Sequence, residues 1–247
     1  MSTKDTTLIL NDYQTFLHHA TATLRDNVAH PSIKPYLDHF AEVDRHLLVL
    51  RNPPTGTIPT AMVLALNAKA LLLSALHAAL SGQTAPIPGL LRSALESMLY
   101  AVVIHRTPAK ALVWQATETA RKERTKQFGW AAVQKEARLC DRSFAEVTDG
   151  IYDTLINIGA HPNSQGVLPN LTHSRSQDGR SVTLGCLYPA GSNTTKFSLI
   201  LCCSVGAIVL AWLAHALPSS DQTGAIYDSG YLLYEAAMAL PTHGQET

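Results

Sequence analysis

Residues 197–217, from Phe197 to Leu217, run for twenty-one positions without an aspartate, glutamate, lysine or arginine. A segment so long and so apolar has two stable homes. One is the hydrocarbon of a bilayer; the other is the centre of a bundle whose neighbouring helices surround it. Ser198, Ser204 and His215 interrupt the run, no comparable clean span accompanies it, and no aromatic and basic belts flank it symmetrically. Composition therefore disfavours membrane insertion and favours a large all-helical protein built around this segment.

The remaining chain supplies the surrounding helices. Residues 6–29 and 32–50 read as a first pair, with Pro31 and Pro35 at the start of the second. The Pro- and Gly-dense stretch 51–59 separates them from an Ala- and Leu-rich helix over 60–80. Pro86 and Pro88 open the next helix, in which Leu91, Ala94, Leu95, Met98, Leu99, Val102 and Val103 recur at helical spacing. Further helices are predicted over 108–128, from Asp141 onward through Phe144, Val147, Ile151, Leu155 and Ile158, and over 222–240. Between them, Asp178-Gly179 is a two-residue hairpin signal, and Val182, Leu184 and Cys186 alternate with their neighbours. The expected fold is an all-α multi-helix bundle of about seven or eight helices with a small β-hairpin insertion near residues 170–188. Residues 1–50 form an N-terminal helical pair packed on the core, and 60–240 form the main bundle, together one structural unit.

Charge and cysteine content narrow the function classes. Nineteen basic residues balance nineteen acidic ones, so no global field favours nucleic acid or an anionic membrane. Cys140, Cys186, Cys202 and Cys203 form neither a zinc pattern nor a disulfide framework, and the N-terminus lacks a signal-peptide pattern; a cytoplasmic protein is expected. There is no glycine-rich phosphate loop, and the His39, Glu42 and His46 face reads as a solvated polar surface, so neither a metal nor a cofactor is expected.

Three groups of residues are candidates for chemistry. Arg92, Glu96 and Tyr100 follow one another at intervals of four on the flank of a core helix. Arg followed by Glu is the poorer order for helix stabilisation, so this pair either ties helices together or serves a site. From Arg121 to Arg142 there are seven basic and three acidic residues, with Phe128 and Trp130 alongside. Arg121, Lys122, Arg124 and Lys126 are the candidate RNA contacts, since positive charge beside aromatic rings suits single-stranded nucleic acid. Thr154, Asn157 and His161 share an edge of the helix from Asp141, and Pro162 ends it. A histidine at a helix C-terminus is favoured in its protonated form.

The stretch Ile156-Asn-Ile-Gly-Ala-His161 resembles a degenerate Arg-Asn-x3-His motif of HEPN-type helical bundles, a superfamily of RNA-cleaving toxins, defence proteins and catalytically silent relatives. The resemblance covers roughly residues 60–240 at the level of helix order. It implies His161 as acid or base and Asn157 as its polar companion, with Arg92 standing in for a missing charge and Glu96 beside it. Ile156 occupies the arginine's place, a departure that weighs against activity. Enzymatic activity is left open between two readings. The one favoured slightly is a non-catalytic interaction or ligand-binding module with a protein partner or a second copy of itself. The other is a metal-independent ribonuclease or RNA-binding protein.

Overall fold

The chain folds as a helical bundle in a computed structural model that describes residues 7–9, 13–116, 121–160, 172–175, 181–185 and 187–241. In chain order the α-helices are α1 (Tyr13–Ala29), α2 (Lys34–Leu47), α3 (Pro59–Leu80), α4 (Ile87–Arg106) and α5 (Lys110–Gln115), followed by α6 (Arg121–Phe128), α7 (Trp130–Cys140), α8 (Arg142–Leu155), α9 (Asn193–Ala216) and α10 (Asp221–Met238).

The charge-free run becomes α9. Its Ser192 cap accepts from the Thr195 amide, and every residue from Ser198 to Leu213 is buried. Helices α2, α3, α4 and α10 pack around it, so its apolar circumference meets protein on every side. Each fully buried Leu, Ile or Val there contributes about 1.5–3 kcal/mol of hydrophobic stabilisation. α4 forms the second wall of this core, with Leu91, Leu95, Met98, Leu99 and Ile104 fully buried.

The N-terminal helices are tied to the core by a polar clasp. Asn27 of α1 is fully buried. Its Nδ2 donates to the Leu80 carbonyl at 2.7 Å, while its Oδ1 accepts from the Gly191 amide at 2.9 Å. One side chain thus satisfies the last carbonyl of α3 and a backbone donor just before α9.

Several expectations need correction. The helix read over 108–128 is not continuous. Ala116 is extended (φ −63°, ψ 148°) and ends α5; α6 stops at Phe128 as expected, but Gly129 (φ −64°, ψ 149°) leads into a further helix, α7, that was not expected. Asp141 is likewise extended and caps α8, its carboxylate accepting from the Phe144 amide. These breaks raise the helix number above the expected seven or eight, because local caps override a continuous apolar pattern. The first helix begins at Tyr13 instead of near residue 6, since Thr7–Ile9 (β1) is extended. Thr172–Arg175 (β2) pairs antiparallel with Ser181–Gly185 (β3), with Thr172 opposite Gly185, and β1 runs parallel to β3. The Asp178-Gly179 turn lies outside the described residues.

The apolar run is also not alone. α3, α4 and α9 are each long and apolar enough to cross a membrane by length and composition. Lys69 in α3 and Arg92 and Glu96 in α4 hid the other two from a search for charge-free stretches. The apolar windows are buried within the protein to 89% for α9 but only 44% for α3, which leaves Val63, Leu66 and Leu73 exposed.

Candidate functional site

Helices α4 and α8 pack antiparallel: the C-terminal Arg106 of α4 meets Cys140, the residue that ends α7 just before α8, and Glu96 further back in α4 meets Tyr152 further along α8. The amphipathic stripe of α8 dictates this pairing. Phe144 and Leu155 are buried, while Val147, Ile151 and Ile158 pack against the core. Tyr152 lies on the α4 side and its hydroxyl donates to Glu96 Oε1 at 2.7 Å. Arg92 Nε stands 3.4 Å from the same oxygen, so one carboxylate gathers both a hydroxyl and a guanidinium. Burial, then the bond to Glu96, pushes the Tyr152 hydroxyl well above its ordinary value, and it stays a protonated donor.

The sequence candidates therefore separate. Arg92 and Glu96 meet as an ion pair within α4, and Tyr152 of α8, which the sequence did not single out, binds Glu96 across the helix contact. Past Leu155 the chain makes a π-helical turn, Ile156–Ala160, that packs on α4. Asn157 in that turn is exposed, and Thr154 is occupied by a 2.8 Å bond to the Gly150 carbonyl. His161 lies outside the described residues.

The basic stretch is partly spoken for. Arg138 pairs with Asp149 at 3.0 Å, Arg142 with Glu146 at 3.2 Å, and Lys110 with Glu136 at 3.0 Å. Trp130 is committed as well. Its ring stacks on Tyr152 with centroids 3.4 Å apart and planes 9° from parallel, and its Nε1 donates to Asp149 at 2.8 Å. Phe128 is buried instead of presented to solvent, in edge contact with Tyr100 at 5.1 Å.

What survives of the patch is α6 itself, where Arg121, Lys122 and Lys126 are exposed. Beside it a cavity of about 420 Å³ is lined by Tyr100, Trp114, Phe128, Arg124, Thr125 and Gly129. Arg124 Nη1 donates to the Ala116 carbonyl at 3.1 Å, which fixes the guanidinium at the cavity wall. Burial, with the Glu96 charge second, pushes the Tyr100 hydroxyl up to about 12, so that ring is neutral. Trp114 was missed because its place beside Tyr100 depends on the chain reversal after Thr107-Pro108, which spacing alone does not reveal.

A second cavity, of about 530 Å³, opens at the C-terminal end of α4, lined by residues of α4, α7, α9 and α10 and of the α9–α10 connection. His105 and His215 both line it, and burial holds each imidazole below its ordinary value of 6.5. His105 Nδ1 and His215 Nε2 are buried without a hydrogen-bond partner. The sequence offered no signal here, since the lining residues come from four separate stretches. Among the described residues, no three His, Cys, Asp or Glu side chains converge to hold a metal.

These histidines set an acid limit. Below the ordinary imidazole value the unfolded chain takes up protons that the folded chain refuses, so stability declines as pH falls from about 6.5 toward the depressed folded values. We expect the urea midpoint to be lower at about pH 5.5 than at about pH 7.5, a window above the ordinary carboxylate range. His215→Asn should flatten that dependence. An unchanged slope in the variant would exclude His215 as its source.

Compared with known proteins, the chain matches no protein-family model, no curated protein and no solved structure.

Proposed function

We propose that the protein is a cytoplasmic, non-catalytic binding module of the HEPN-like kind, which seats a base of single-stranded RNA in the cavity between α4, α5 and α6. The observation that carries this reading is the composition of that cavity: three aromatic rings, Tyr100, Trp114 and Phe128, with the anchored guanidinium of Arg124. Its volume, about 420 Å³, is within the range of small-molecule sites. Aromatic walls hold a base by stacking, and the exposed cations Arg121, Lys122 and Lys126 on the same helix attract the adjoining phosphates. Absence of cleavage fits the loss of the motif arginine to Ile156 and the use of Arg92 to neutralise Glu96.

A ribonuclease is the second reading, favoured by one observation. The turn Ile156–Ala160, which leads into His161, packs on the helix that carries Arg92.

One experiment separates them. Fluorescence anisotropy with a short labelled single-stranded RNA should give affinity that falls with salt. Trp114→Ala should weaken binding about tenfold, the loss of roughly one stacked base. Lys122→Ala should reduce the salt slope by about 0.7, the share of one phosphate contact on a single strand. RNA affinity that is absent or flat with salt would sink the binding module. Cleavage of the same RNA by the wild type but not by His161→Ala would replace it with the nuclease.

A further inference from the structure

We propose that the cavity at the joint of α4, α7, α9 and α10 binds a free α-amino acid, with the ligand's carboxylate on Arg106 and its ammonium on Asp228. This site is separate from the aromatic cavity and does not depend on it.

The charge inventory of the lining carries the inference. Of the described side chains that line the cavity, only Arg106 and Asp228 carry charge at neutral pH. The others that titrate are neutral there. Burial lowers both imidazoles, pushes the Cys140 thiol up, and together with the bond to Asp141 pushes the Tyr227 hydroxyl up. A cavity with one cation and one anion is matched by a ligand that carries one of each.

Asp228 has no ion partner among the described residues, and Arg106 has only a long one, Glu136 at 4.0 Å. Arg106 Nη1 donates to Cys140 Sγ at 3.2 Å, and a thiol is a weak acceptor. Its Nε is 4.0 Å from Glu136 Oε2, beyond hydrogen-bond reach, while the other oxygen of Glu136 is held by Lys110 at 3.0 Å. The guanidinium fork therefore has donors left for a carboxylate, the group its planar geometry fits bidentately. Asp228 is exposed and forms no ion pair among the described residues. Asp141, the nearby alternative, is fully occupied: it caps α8 through the Phe144 amide and accepts from the Tyr227 hydroxyl.

The remainder of the lining suits the rest of an amino acid. Ala214, Leu217 and the Tyr227 ring offer apolar surface for a side chain, and about 530 Å³ leaves room for a large one. A free α-amino acid carries both charges on one α-carbon. A peptide terminus offers only one of them.

The test is isothermal titration calorimetry of the full chain with the proteinogenic L-α-amino acids, including L-leucine and L-phenylalanine. The best binder is then compared with its amide, which mimics a peptide N-terminus, and its N-acetyl form, which mimics a C-terminus. We expect at least one amino acid to bind. Each blocked form should be about tenfold weaker or worse, as should binding to Arg106→Gln and to Asp228→Asn, the loss expected for one charged hydrogen-bonding partner. Circular dichroism checks that the variants are folded. Asp228 is exposed, so Asp228→Asn and the blocked ligands decide the matter even where Arg106→Gln disturbs the fold. Absence of binding by every amino acid, blocked forms as tight as the parent, or full affinity in folded Asp228→Asn would each overturn the proposal.

Discussion

Replacing Trp212 with alanine is expected to lower the unfolding free energy by about 3–5 kcal/mol, the usual range for deleting a large buried aromatic ring. Trp212 is fully buried in α9. Its ring lies 5.7 Å from Phe144 of α8 and 5.4 Å from His215 of α9, centroid to centroid, so deletion opens space between these two helices. Its Nε1 also donates to Thr148 Oγ1 at 2.9 Å, and Thr148 in turn donates to the Phe144 carbonyl at 2.8 Å. Trp212→Phe keeps much of the ring volume but gives up that donor. It should cost less, on the order of 1–3 kcal/mol, because Thr148 retains its backbone acceptor. Against a typical total of about 5–15 kcal/mol, the alanine variant should be close to unfolding at ambient temperature. Urea denaturation followed by far-ultraviolet circular dichroism is the measurement. A cost below about 1 kcal/mol for Trp212→Ala would mean that α8 is not docked on α9 through this ring.

That docking also links the core to the amino-acid cavity. His215 contacts both Trp212 and Tyr227, with Tyr227 at 5.4 Å, and Tyr227 holds the Asp141 cap of α8. The cavity wall is therefore continuous with the best-buried part of the molecule. Rigid support of this kind is what holds a binding group within reach of its ligand.

The parts of the fold legible in the sequence were those written in a single segment. Twenty-one charge-free positions were enough to place residues 197–217 at the bundle centre, because periodicity and composition are local. The stripe from Phe144 to Ile158 likewise identified α8 and its buried side. The break at Ala116 was not legible, since it depends on a backbone conformation that the apolar pattern does not encode; the end at Phe128 was read, but α7 beyond it was not. The candidate site divided along the same line. Arg92 and Glu96 at four-residue spacing were expected either to tie helices together or to serve a site; they pair within α4, and Tyr152, which links Glu96 to α8, comes from 56 positions away. The Arg106 and Asp228 pair was invisible for the same reason. Neither residue has a sequence neighbour that marks it, and only the packing of α4 and α7 against α9 and α10 brings them to one cavity.

Gly230 tests a close contact between α9 and α10. A Cβ built on it would stand 2.6 Å from Ala211 N and 2.8 Å from both Ala211 Cα and Cβ. Two of these are backbone atoms of α9, which is enclosed by α2, α3 and α4 on its other sides, so the obstruction cannot swing away as a side-chain tip would. Alanine ordinarily stabilises a helix over glycine by about 0.8–1 kcal/mol, through a smaller entropy loss on folding. At Gly150 that gain should appear in full, because the site is exposed in α8 and nothing lies within 4 Å of an added Cβ. At Gly230 the clash should overwhelm it, leaving a net loss of about 1–3 kcal/mol as α10 is forced outward. The same substitution is thus expected to raise the urea midpoint at one helical glycine and lower it at another. Matched gains at both positions would show that α9 and α10 do not approach as closely as Gly230 and Ala211 require. A loss at Gly230 alone would establish that a missing side chain, as much as any side chain present, holds the last helix against the bundle.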